Sequence, residues 1–123
     1  MGETLPKEEE IHELLLEVGI SPSSYGFQYI TYALQLIMTD ETYLHRITSK
    51  LYIAIADRYN VTNCSVERNI RHAISRAFTV CSMDFAESLF RNCINPSTGV
   101  PTNSQVFARL YFYLVNKYAG KSA

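Results

Sequence analysis

Long apolar runs are missing from this 123-residue chain: no stretch approaches the roughly 18 charge-free apolar residues that a membrane-spanning helix requires. Cysteine is scarce. The three present, Cys64, Cys81 and Cys93, are odd in number and none pairs at CxxC spacing, which argues against a disulfide framework and a structural zinc site. They are expected to be small buried hydrophobes in a reducing compartment. The three histidines, His12, His45 and His72, form neither HxxxH nor HxH, so no metal is expected. There is no Gly-rich phosphate loop and no nucleophile with a paired base, so an enzyme is not expected, nor any cofactor. The first residues, MGETLPKEEE, lack the apolar core of a secretory signal, and a cytoplasmic protein is the simplest expectation. What is present is ordinary globular composition, 47% hydrophobic and 19% charged, at a length that suits one domain.

A formal net charge of −1 hides a segregation. Residues 1–20 hold six glutamates against Lys7, whereas residues 44–78 carry Arg46, Lys50, Arg58, Arg68, Arg71 and Arg76 against Asp57 and Glu67. The global balance does not suggest a nucleic-acid partner; this segment does.

Hydrophobic periodicity is helical throughout, and no strand is compelling. An acidic first helix spans about 6–18, with Pro6 at its start, Glu8, Glu9 and Glu10 in the first turn, and Gly19 as its stop. Ser21-Pro22 starts the next helix, which Gly26 weakens slightly. Glu41 to Arg46 reads as a short helix and 47–59 as another. Residues 63–80 follow, with Val66, Ile70, Ala73, Ile74 and Ala77 in a sector of roughly 100°. Ser82 can cap a further helix, and Asn92 to Thr102 is a loop. The last helix runs from about Asn103 to Tyr118, with Val106, Leu110, Tyr113 and Leu114 inward, and ends at Gly120. The expected architecture is a compact all-α domain of six or seven helices, with most tyrosines at the rim of the core.

Within it, residues 47–80 fit a helix-turn-helix. Ala56 is the small residue at the helix crossing. Asn60, four positions later, tolerates the left-handed backbone of the turn. Val61 follows, and Val66 and Ile70 plug the second helix onto the first. With Val66 at the centre of the buried face, Arg68 points nearly opposite, Arg71 and His72 flank it, and Ser75 lies between them. Thr62 or Asn63 can cap the helix. Its N-terminal half thus shows Ser65, Glu67, Arg68, Arg71 and His72, the part that a recognition helix inserts into the major groove. Arginine can bond a guanine edge in a bidentate way, and a carboxylate can accept from a cytosine amino group. Equally, Glu67 and Arg71 at i, i+4 can form a surface helix pair. Lys50, Arg58 and Arg76 are candidate phosphate contacts.

The run SVERNIRHAISRAF, preceded by ITSKLYIAIADRYNVT, resembles the C-terminal DNA-binding effector domain of the master sporulation response regulator of endospore-forming bacteria, the stage-zero sporulation protein A family. The similarity extends to Met83-Asp84-Phe85, Leu89-Phe90 and Pro101-Thr102-Asn103-Ser104, and more weakly to Val18-Gly19-Ile20 and Tyr25-Gly26. The resemblance implies a six-helix all-α domain that binds promoter boxes like TGTCGAA, often in tandem, and activates or represses transcription. It places Glu67, Arg68 and Arg71 at base-reading positions, with Ser65 beside them. Backbone contacts fall to Lys50, Arg58, Thr62, His72, Ser75 and Arg76. It also implies a surface for the RNA polymerase sigma subunit at Ser82, Asp84, Glu87, Ser88 and Arg91, and a homodimer on tandem boxes. Two departures stand out. Ser65 occupies a position usually held by Arg in the family motif, which removes one cationic contact. The chain is also too short for the family's phosphoacceptor receiver domain. The alternative is an interaction module that binds the sigma subunit or a full-length regulator without reading DNA.

Overall fold

Ile11, Leu14, Leu15 and Val18 recur every three or four residues and are all buried, which makes Glu8–Val18 an amphipathic helix, α1. This is the first element of a computed structural model that describes residues 8–80 and 100–122, with side chains for 8–78 and 100–117. Glu8, Glu9 and Glu10 occupy the first turn of α1, where the helix dipole favours anions. Gly19 ends it at φ 103°, and the Ile20 amide donates back to the Leu15 carbonyl at 3.0 Å, the six-to-one bond of a Schellman stop.

Helix α2 is Tyr25–Thr39. It starts later than Ser21-Pro22 suggests, because Ser21 closes a turn first: the Ser24 amide and hydroxyl both donate to the Ser21 carbonyl, at 3.1 and 2.8 Å. Ser24 then caps the helix by accepting the Phe27 amide at 3.2 Å. This helix is the axle of the fold: it packs against the helix before it and against four helices that follow, most extensively against the one at 63–80. Gly26 has its place here. A β-carbon on it would stand 2.5 Å from the Ala73 β-carbon and 2.6 Å from the Asn69 carbonyl oxygen. The residue read as a mild weakness of α2 is thus what lets the helix at 63–80 approach.

A short helix, α3 (Thr42–His45), leads into a π-helical turn, Ile47–Leu51, and then α4, Tyr52–Tyr59. The single helix expected over 47–59 therefore opens on a π-helical turn before continuing as α4. The Lys50 and Leu51 amides both donate to the Arg46 carbonyl, at 2.9 and 3.0 Å, and the widened turn leaves Leu51 in the core with Lys50 beside Asp40.

The helix-turn-helix forms as its five positions predict. Asn60 is left-handed at φ 57°, ψ 50°, and the Val61 amide donates to the Ala56 carbonyl at 3.0 Å. Thr62 caps α5 (Asn63–Val80) by accepting the Ser65 amide at 3.0 Å. Val66, Ile70, Ala73, Ile74 and Ala77 are buried.

Helix α6 is Asn103–Ser122. It opens on a capping box in which the Gln105 amide donates to the Thr102 hydroxyl and the Thr102 amide donates to the Gln105 side chain. It passes through Gly120 rather than ending there. Its core side chains are Val106, Phe107, Leu110 and Leu114, while Tyr113 is only half-buried. Phe107 completes the sector set by Val106, Leu110 and Leu114, and Tyr113 lies on its flank. Among the described residues every regular element is helical, as expected for an all-α domain. The expected helix after Ser82 and the loop up to residue 99 lie outside the described residues. No described helix is long and apolar enough to cross a membrane.

Replacing a helical glycine by alanine ordinarily stabilises a helix. At Gly26 the opposite is expected: Gly26→Ala lowers the urea-unfolding free energy by about 1–3 kcal/mol, the usual cost of overpacking. Equal or greater stability of the variant would show that α2 and α5 do not meet there.

Candidate nucleic-acid interface

Once its apolar stripe is buried, α5 has one direction left for its charges. Arg68, Arg71, His72 and Arg76 are exposed together, with Glu67 and Ser75 half-buried at the edge of the same face. The left-handed Asn60 fixes the angle at which α5 leaves α4, and the Thr62 cap fixes where it starts. The Thr62 hydroxyl keeps its own proton available for donation while it accepts the Ser65 amide.

Arg71 with Glu67 and Ser65 with Asn69 are engaged within the helix. Arg71 Nη1 donates to both carboxylate oxygens of Glu67, at 2.8 and 2.6 Å, so the i, i+4 pair forms. Both members are substantially exposed, and such a pair stabilises a helix by about 0.2–0.5 kcal/mol. Ser65 is half-buried on the flank nearest α2, and its hydroxyl and carbonyl both accept from Asn69 Nδ2, at 3.2 and 2.8 Å.

The remaining cations sit elsewhere. Lys50 Nζ donates to Asp40 at 3.0 Å and to the Thr42 hydroxyl, and lies 4.4 Å from the centre of the Tyr43 ring. The Thr42 hydroxyl, followed by Lys50, holds the Asp40 carboxyl down from 3.8 to about 2. Arg58, in the last turn of α4, lies 5.6 and 5.7 Å from the Tyr32 and Tyr59 rings. It lines a cleft of about 620 Å³ shared with His12 of α1 and Gln28 of α2. The structure therefore gathers Arg68, Arg71, His72, Arg76 and Ser75 on one face and places Lys50 and Arg58 toward opposite ends of the first helix of the motif. Ser82, Asp84, Glu87, Ser88 and Arg91 lie outside the described residues.

Beside α5 runs a second cleft, of about 630 Å³, with Glu67, Arg71 and Ser75 on one wall, Thr102, Asn103 and Ser104 on another, and Thr48 and Tyr52 also lining it. Asn103 Nδ2 donates to the Tyr52 hydroxyl at 3.0 Å and to the Glu67 carbonyl at 3.3 Å. Sequence reasoning missed this flank. The capping pattern at Thr102 and Gln105 marks the helix start, but nothing in it signals partners 51 and 36 residues away.

A family model described as sporulation initiation factor Spo0A C terminal matches residues 11–114, from the first buried residue of α1 to the last buried leucine of α6. The chain belongs to that family. The Spo0A C-terminal family is one of DNA-binding transcription-regulatory domains of sporulation initiation, helical and of helix-turn-helix type, not a catalytic family.

The depressed Asp40 carboxyl has a readable consequence. Its stabilising contribution is complete above pH 4 and is lost as the pH falls through about 2. In an NMR titration Lys50→Ala should raise the Asp40 midpoint only part of the way to its ordinary value, since the Thr42 hydroxyl is the larger cause and stays in place. Full recovery of the ordinary value would assign the shift to Lys50 instead.

Proposed function

We propose that this domain reads promoter boxes resembling TGTCGAA by laying the N-terminal half of α5 in the major groove. The observation that carries the reading is the joint exposure of Arg68, Arg71 and His72 on a helix fixed by the left-handed Asn60 turn. Arg68 and Arg71 bond guanine edges, and Glu67 accepts from a cytosine amino group. Ser65 sits beside them at the helix start, contributing a hydroxyl where the family motif usually carries a guanidinium. His72, Ser75 and Arg76 on α5, Thr62 at its cap, and Lys50 and Arg58 on the preceding elements contact the sugar–phosphate backbone. Lys50 exchanges Asp40 for a phosphate on binding, and Arg71 is released from Glu67 as both turn to bases. The surface from Ser82 to Arg91 meets the sigma subunit of RNA polymerase, and two copies pair on tandem boxes. Both of these rest on family resemblance. The site of action is the bacterial cytoplasm, at the nucleoid.

Fluorescence anisotropy with box-containing and scrambled duplexes tests this reading. The box should bind more tightly at moderate salt, and both affinities should fall steeply as salt rises. Arg68→Ala or Arg71→Ala should cost about 1–3 kcal/mol on the box and relax preference at one base position. Lys50→Ala should weaken both duplexes alike and lower the salt slope by about 1. Equal affinity of the unaltered domain for the two duplexes would reject base reading.

Glu67→Gln separates masking from reading. Freed of its carboxylate partner, Arg71 meets phosphates more readily, so the scrambled duplex should bind more tightly while the ratio between duplexes shrinks. An unchanged scrambled affinity would show that the ion pair does not restrain Arg71.

A further inference from the structure

Apolar packing holds α5 against α2, α4 and α6 and sets which face points outward, but burial is non-directional and leaves the fine rotation of the helix to directional contacts. Rotation is what decides which base edges Glu67 and Arg71 face. A hydrogen bond supplies the missing direction. Asn103 offers one from outside the motif. Its Nδ2 joins the Tyr52 hydroxyl, on the first residue of α4, to the carbonyl of Glu67 on α5. In a helix that carbonyl also accepts the amide four residues on, which is that of Arg71, so the tie lands on the turn bearing both side chains.

The donor is itself well fixed. Asn103 is the first residue of α6, behind buried Pro101 and inside the Thr102–Gln105 capping box, so its backbone has little freedom. Its acceptor is fixed too. Tyr52 is buried, and burial pushes its phenol above its ordinary value, while the Asn103 hydrogen bond acts in the opposite sense. Tyr52 also lines the same cleft as Glu67 and Arg71.

We propose that Asn103 is a positioning residue for DNA recognition: by joining the first helix of the motif to the Glu67 turn, it sets the rotation at which Glu67 and Arg71 meet the base pairs. The proposal rests on the major-groove reading above. It makes the start of α6 part of the recognition apparatus without any contact to DNA.

The experiment is the same pair of duplexes, titrated with the full chain carrying Asn103→Ala, Asn103→Leu or Tyr52→Phe, with thermal melting of each protein alongside. Leucine has the same branched heavy-atom skeleton as asparagine and neither of its amide N–H donors. Both Asn103 variants should lose about tenfold in box affinity, near the low end of one base contact. Scrambled-duplex affinity should stay within about twofold, since the phosphate contacts remain. Tyr52→Phe should shift the ratio in the same direction by less. Should Asn103→Ala not fold, the ratio is read from the other two. A wild-type ratio in Asn103→Leu, or equal losses on both duplexes together with a lowered melting temperature, overturns the proposal and leaves base reading standing. A wild-type domain that does not discriminate at all removes the base reading itself.

Discussion

The close crossing of α2 and α5 is the constraint on which the rest of this domain depends. With no side chain at Gly26, the two backbones approach until Ala73 and the Asn69 carbonyl fill the space a β-carbon would take. That approach seats Val66, Ile70 and Ala73 in the core and leaves Arg68, Arg71 and His72 no direction but outward. α1, α3, α4 and α6 also lean on α2, so the depth of this one crossing sets the frame in which the helix-turn-helix is held. The cost of a glycine in a helix, about 1 kcal/mol relative to alanine, is offset by interdigitation at native density.

Polar groups add definition where apolar packing leaves freedom. Asn60 in the left-handed region turns the chain, Thr62 fixes the first turn of α5, and the Thr102–Gln105 box fixes the first turn of α6. On the exposed side the domain satisfies its own charges, Arg71 with Glu67 and Lys50 with Asp40. Exposed pairs of this kind contribute little to stability and are exchanged readily.

The helical class, the burial of α1 and α5, and the identity of the turn residue were legible because each is a local property. Val66, Ile70, Ala73, Ile74 and Ala77 share a sector at helical spacing, and Asn60 has a conformational preference of its own. The outward face of α5 follows from that sector by geometry alone. The features that escaped are contacts between distant segments. Gly26 shows no reason for being glycine until Ala73 is placed against it. The π-helical turn at Ile47–Leu51 has the same apolar residues as a continuous helix, and only the seating of Lys50 beside Asp40 tells the two apart. Phe107 is hard to tell from Tyr113, which lies on the other flank of the Val106, Leu110 and Leu114 sector, and the Asn103 link is hidden because hydrogen-bond partners 51 and 36 residues apart leave no periodic trace.

Between α1 and α5 the separation of charge in the sequence becomes a separation in space. Phe27 of α2 meets His12 of α1 with ring centres 5.1 Å apart, while its neighbour Gly26 meets α5, so the acidic and basic helices pack on different faces of α2. Glu8, Glu9, Glu13 and Glu17 are exposed on one, and Arg68, Arg71 and Arg76 on the other. Opposed faces of unlike charge give the described helices an electric dipole even though the formal net charge is only −1. In the field of a polyanion such a dipole is subject to a torque that turns its positive face toward the polyanion before contact.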